Sequence, residues 1–158
     1  MTVALRELRG SPQRRPWLEQ AYRAWLAELG ASAADLADSS GQLAMLLAVH
    51  GHALLIERDG EPVGFALLRT QSDRDGAISH HLLDFFVTSP VRRLGVGGEA
   101  ARLLIDRFPG RWEILTLPGD TAALQFWRRV LGRLLPGRVR ESREPAGVFQ
   151  RFASNGPR

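Results

Sequence analysis

The chain has 158 residues, 44% of them hydrophobic and 24% charged, the balance of one ordinary globular domain with a sizeable core. It contains no cysteine, which excludes disulfides, thiolate metal sites and a cysteine nucleophile. The formal net charge is +4, and all 21 basic residues are arginines dispersed among 17 acids, a pattern that argues against a nucleic-acid module.

Thr2–Arg9 alternates apolar and polar residues and predicts a first strand. Gly10–Pro16 reads as a loop. Trp17, Leu18, Ala21, Tyr22, Trp25, Leu26 and Leu29 recur at helical spacing, and Gly30 supplies a stop. Ala31–Gln42 is a polar link of small residues, and Leu43–Gly51 predicts a second short helix or a mobile connection. Two apolar runs, Ala53–Glu57 and Val63–Arg69, flank Asp59-Gly60, a strong hairpin signal. His80–Thr88 predicts a third strand, apolar enough to be buried on both faces. A glycine turn opens a helix of about Gly97–Phe108, Trp112–Leu117 is a further strand, and Asp120 stands at the N-cap of a helix of about Thr121–Leu135. Gly137–Ala153 reads as two strands joined near Pro145–Gly147. Residues 1–153 are thus expected to form a single domain, and 154–158 a frayed tail.

The predicted order is β-α-α-β-β-β-α-β-α-β-β. This is an α+β fold, with a mixed, mostly antiparallel central sheet and helices on both faces. No apolar run approaches the roughly 18 residues of a membrane span, and Met1–Trp17 lacks the apolar core of a signal peptide. These features predict a cytoplasmic protein with no membrane partner.

The most informative stretch is Val91–Gly98, "VRRLGVGG", directly before a helix. A helix N-terminus leaves about four N–H groups unpaired and carries partial positive charge, glycines let an anion approach it, and arginines add donors. A nucleoside-triphosphate P-loop needs a lysine that this chain lacks. A dinucleotide fingerprint is matched in letters by Gly95–Ala100, but that motif belongs directly after the first strand of a doubly wound sheet, and here several strands precede it.

The third design is a coenzyme A pyrophosphate site. Phe85–Leu104 resembles the central motif of the GNAT superfamily of N-acetyltransferases. Arg92-Arg93-Leu94-Gly95-Val96-Gly97 fits its Gln/Arg-x-x-Gly-x-Gly/Ala pattern. Asp120, Ala123 and Phe126-Trp127 stand at the spacing of the family's second motif, with Asp in place of the usual Asn. The resemblance is strongest from about Leu82 to Leu131, and extends to a bacterial group of predicted acetyltransferases. It implies acetyl-CoA as cofactor, with the pyrophosphate on backbone N–H groups of Leu94, Gly95, Val96, Gly97 and Gly98, and with Arg92 and Arg93 nearby. It places the pantetheine arm along Phe86, Val87 and Thr88, and adds Asp120, Phe126 and Trp127 to the cofactor site. It also implies direct transfer to an amine, without a covalent enzyme intermediate, in a family whose members often form homodimers.

Acetyl transfer needs a neutral amine, so a base is required. Asp84, an acid inside an apolar run, is one candidate, since burial raises a carboxylate's pKa. His81 is the other; His80 belongs to the opposite face of the strand. His50 and His52 flank Gly51 in an expected loop, but no further ligand stands near, so no metal is predicted. Many family members carry Tyr where this chain has Trp127, and indole is no acid at neutral pH. Tyr22 and Trp25 are either core or a wall of the acceptor site. The expected activity is acetyl transfer from acetyl-CoA to a primary amine of a small molecule or protein. The alternative is a catalytically weak acyl-CoA-binding or sensor module.

Overall fold

The structure is a computed structural model and describes residues 1–48 and 51–157. Strand β1 (Val3–Glu7) leads into helices α1 (Arg15–Glu28), α2 (Ala33–Ala37) and α3 (Ser39–Ala48). Strands β2 (Gly51–Arg58), β3 (Glu61–Ser72) and β4 (Ile78–Val87) follow, then helix α4 (Val96–Arg107), strand β5 (Gly110–Thr116), helix α5 (Thr121–Leu134), and strands β6 (Arg140–Glu144) and β7 (Gly147–Ser154). The order is that expected from the sequence, with one helix added. The strands form a single sheet, β1-β2-β3-β4-β5-β7-β6, in which β4–β5 is the parallel pair. Short connections make antiparallel neighbours, whereas α4 crosses over the sheet and returns the chain in parallel. The β2–β3 hairpin turns at Asp59 and Gly60, with φ of 52° and 85°, the left-handed pair that matches strand twist.

Helices cover both faces. On one, Val96, Ala100 and Leu104 of α4 and Trp127 and Leu131 of α5 pack against the sheet residues Leu54, Ala66, Leu82 and Ile114. On the other, Leu18 and Tyr22 of α1 and Leu43 of α3 pack on Leu55, Phe65, Leu67 and Phe86. No helix among the described residues is long and apolar enough to cross a membrane.

Three local expectations need correction. The polar link contains α2, because the Ser32 hydroxyl accepts from the Asp35 amide at 3.2 Å and caps the helix. His52 lies in strand β2 rather than in a loop, and His50 lies outside the described residues. Ser154 is not frayed: it closes β7, is buried, and its hydroxyl donates to the Ile105 carbonyl at 2.7 Å.

Ile105 is in the last turn of α4, and the residue four positions on, Pro109, has no N–H to offer its carbonyl. Ser154 supplies the missing donor. Trp112 Nε1 likewise donates to Phe108 O at 2.8 Å, and His80 Nε2 to Pro109 O at 2.9 Å. The end of α4 is thus fixed by side chains from three strands. Replacement of Ser154 by alanine strands a buried carbonyl and is expected to cost about 1–2 kcal/mol. This is read as a lower urea midpoint at unchanged slope.

Candidate active site

Strands β4 and β5 pair from Ser79↔Arg111 to Leu82↔Ile114 and no further, although β4 continues to Val87 and β5 to Thr116. Pairing ends where β4 carries an extra residue. Against β3, Leu82 faces Leu68 and Asp84 faces Leu67, so Leu83 has no partner of its own. Such a bulge bends its strand and increases its twist. The two strands separate beyond it and leave a wedge in the middle of the sheet.

The bulge also resets the faces of β4. Residues three apart on a regular strand point to opposite sides. Here His81, opposite Arg69, and Asp84, opposite Leu67, share the α1 face. On the open side, the two-residue period leaves the backbone groups of Phe85 and Val87 directed away from β3. The Thr88 amide is engaged with Val63 O at 2.8 Å, and Phe86 shares that orientation. Val87 O accepts from Arg92 Nε at 2.8 Å, so the groups this edge leaves open are those of Phe85 and the Val87 N–H, which overlap the expected run of Phe86, Val87 and Thr88 at Val87.

The wedge opens into a cleft of about 340 Å³ whose walls include Trp25, Arg69, His81, Asp84, Glu113 and Trp127. Asp84 makes no hydrogen bond with the described residues, and burial pushes its carboxyl up to about 7. Tyr22 is in the core of the α1 face rather than in the cleft wall, where Trp25 stands. Burial, and then the Asp84 charge, raise the Tyr22 phenol above its ordinary value, so it stays protonated at neutral pH. His81 Nδ1 lies 3.3 Å from Glu113 Oε1, and Glu113 Oε2 accepts from Arg151 Nε at 2.9 Å. His80, on the opposite face, is held between Thr70 Oγ1 and Pro109 O, both at 2.9 Å from its ring nitrogens. Burial, foremost, lowers its pKa, so it is a neutral structural histidine.

At the far end of β4 the glycine turn enters α4. Gly95, the N-cap, has φ of 81°, a left-handed conformation that suits glycine, and no side chain caps the helix. The first N–H groups of α4 are therefore without a protein side-chain acceptor. Gly97 is needed for closeness: a Cβ there would stand 3.1 Å from Phe126 Cε2. Phe126 in turn stacks on Phe85 with centroids 5.7 Å apart, and Trp127 meets Phe85 edge-on at 5.0 Å. Asp120 caps α5 through the Ala123 amide at 3.2 Å. Arg92 differs from its expected role as a pyrophosphate donor. Its Nε donates to Val87 O at 2.8 Å and its outer nitrogens pair with Glu28 at 2.8 and 2.9 Å, so it ties α1 to the end of β4. Arg93 is exposed beside the turn, with φ of 68°.

The arrangement suits a long ligand with an anion at one end and an amide chain beyond it. The orphan N–H groups of α4 would face the anion and the open edge at Phe85 and the Val87 N–H the chain, while Thr116 Oγ1, buried and without a hydrogen-bond partner among the described residues, belongs to a residue that lines the cleft. The sequence pattern of the "Acetyltransferase (GNAT) family" matches residues 3–132. The chain belongs to the GNAT acetyltransferase family. Acetyl-CoA is the cofactor of this family, and the site just described fits it.

Solved structures agree in fold. An acetyltransferase from Thermus thermophilus superposes with a TM-score of 0.69 at 16% identity, covering 96% of each chain. The PaiA N-acetyltransferase of Thermoplasma acidophilum, in complex with coenzyme A, gives 0.67 at 12% identity over 97% of this chain and 99% of that one. Aminoglycoside acetyltransferase AAC(6')-Ib, also with coenzyme A, gives 0.68 at 17% identity over 96% and 95%. No curated protein matches the sequence.

Glu113, Arg69 and Thr116 are polar cleft residues that the sequence pattern did not single out. Their signal lies in cross-strand register, which a single strand does not carry.

Because folding raises the proton affinity of Asp84, the folded state binds more protons than the unfolded one between the ordinary carboxylate range and pH 7. Stability conferred by the protonated group is therefore lost as pH rises through that window. The shift from 3.8 to about 7 limits this loss to at most about 4 kcal/mol. Asp84→Asn is expected to flatten that pH dependence and to unfold later than the parent at pH 8. Parallel melting curves of the two proteins from pH 4 to 8 would contradict it.

Proposed function

We propose that the protein transfers the acetyl group of acetyl-CoA directly to a primary amine, as an N-acetyltransferase. The observation that carries this reading is Asp84: a carboxyl with no hydrogen-bond partner among the described residues, poised near neutrality, at the bulge where the sheet opens. Bound acetyl-CoA supplies an activated thioester. The protein's part is to hold it and to prepare the acceptor. The N–H groups of Val96, Gly97 and Gly98 hold the pyrophosphate, with Arg93 beside them, and the edge of β4 at Phe85 and Val87 holds the pantetheine arm. Phe126 and Trp127 back this channel, and Asp120 fixes the start of the helix that bears them.

An ammonium group must lose a proton before its nitrogen can attack. Ionised Asp84 attracts the ammonium and accepts that proton. His81, oriented by Glu113, is the second basic group of the same face. Trp127 contributes an N–H donor but no exchangeable acid at neutral pH, so the departing thiolate takes its proton from solvent. Because aminoglycoside acetyltransferase AAC(6')-Ib shares the fold, polycationic amines are one acceptor class to screen. Protein amines are another.

The second reading, an acyl-CoA-binding module with weak transfer, rests on Trp127 standing where a proton donor would assist the thiolate. Turnover separates the two. The enzyme reading predicts calorimetric binding of acetyl-CoA, weakened at least about tenfold in Gly98→Glu. That variant sets a negative charge in the first turn of α4, where a Cβ meets only Val130 at 3.9 Å. It also predicts that kcat/KM rises with pH through about 7 and falls about 10²–10⁴-fold in Asp84→Asn. Tight binding without thiol release across an amine panel would favour the module. No binding by the folded protein would overturn both readings.

A further inference from the structure

Arg69 is the charged residue of the cleft that acetyl transfer leaves unused. It stands on β3 two residues beyond Leu67, on the α1 face, with His81 opposite it on β4 and Gly51 opposite it on β2. Gly51 presents no side chain. Glu113, the acid in the same cross-strand row, has both oxygens engaged, one by His81 and one by Arg151. Arg69 Nε is buried and has no hydrogen-bond partner among the described residues, although the residue lines the cleft together with Trp25 and Asp84. A buried guanidinium donor left unpaired is costly, and the cleft that Arg69 lines is the side from which an acceptor would approach the guanidinium.

The geometry points to Arg69 as the anion-recognising residue of the acceptor site, and to an acceptor that is a small amine carrying one carboxylate. This rests on the proposed acetyl transfer, because it assigns the amine to Asp84. Arg69 and Asp84 are diagonal neighbours on adjacent strands, with backbone positions about 7–8 Å apart. Amine and carboxylate therefore belong to one compact molecule, whose carbon skeleton finds apolar walls in Trp25 and Phe149. A guanidinium fork matches a carboxylate in two parallel hydrogen bonds. One unmatched cation calls for one negative charge. A phosphate dianion would face Asp84 and Glu113 across the same cleft with a single guanidinium to hold it.

The test uses β-alanine, 4-aminobutyrate and L-leucine, each against its own carboxamide. Calorimetric binding and thiol release are measured with the parent protein and with Arg69→Gln. At least one carboxylate probe is expected to exceed its amide by about 10- to 100-fold in the parent, in binding and in kcat/KM, the range of a charge-assisted pair. In Arg69→Gln the two are expected to come within about twofold. Arg69→Lys, which keeps the charge but not the fork, is expected to fall between them, and it serves alone if Arg69→Gln does not fold. Equal handling of acid and amide by the parent, no saturable binding of any acid, or a preference that survives in both variants would overturn the assignment. Acetyl-CoA titration of the same samples reports separately on the donor site. Donor binding with no carboxylate preference sinks this inference alone, whereas absent donor binding sinks the transfer reading.

Discussion

One surplus residue in strand β4 governs the functional geometry. With Leu83 unpaired against β3, β4 bends, its parallel pairing to β5 stops at Leu82, and the last part of β4 presents inside the sheet an edge that no strand pairs. Backbone polar groups cannot remain buried without partners at low cost, so an interior edge is stable only where solvent or a ligand reaches it. The same bulge rotates Asp84 onto the face of His81. The open edge and the candidate base are two consequences of a single insertion.

The elements around the wedge hold it open. Phe85, Phe126 and Trp127 form an aromatic wedge between β4 and α5, and Phe126 also sets how closely α4 approaches through Gly97. On the other face Arg92 joins the end of β4 to Glu28 at the end of α1, and its guanidinium lies over the Phe86 ring at 5.3 Å. Helix α1 is thereby fastened to the end of β4 and to the loop that enters α4. An arginine that the motif alone would assign to phosphate has the position of a structural tie.

The sequence was most legible where structure is local. The Asp59-Gly60 hairpin, the glycine-led entry to α4 and the Asp120 cap are each written in neighbouring residues, and all three form as expected. The short helix α2 was also written locally, in Ser32-x-x-Asp35, but five residues are too few to show a helical period. What could not be read depends on register. The alternation of β4 implies opposite faces for His81 and Asp84, and only the bulge against β3 brings them together. The tail is similar: Ser154 looks like a frayed end until Pro109, far away in sequence, is seen to leave Ile105 without a donor. Arg69 and Glu113 enter the cleft by strand pairing, which no periodicity within their own strands announces.

Everything proposed for the donor depends on the edge of β4 and the start of α4 acting together as one binding surface. Amide resonances of the 15N-labelled protein, followed while coenzyme A is added, test this most directly. Saturable shifts at Phe85 and Val87 together with Val96, Gly97 and Gly98, on one common binding curve, are the predicted result. Saturable shifts confined to other parts of the sheet, with these five unmoved, would contradict it.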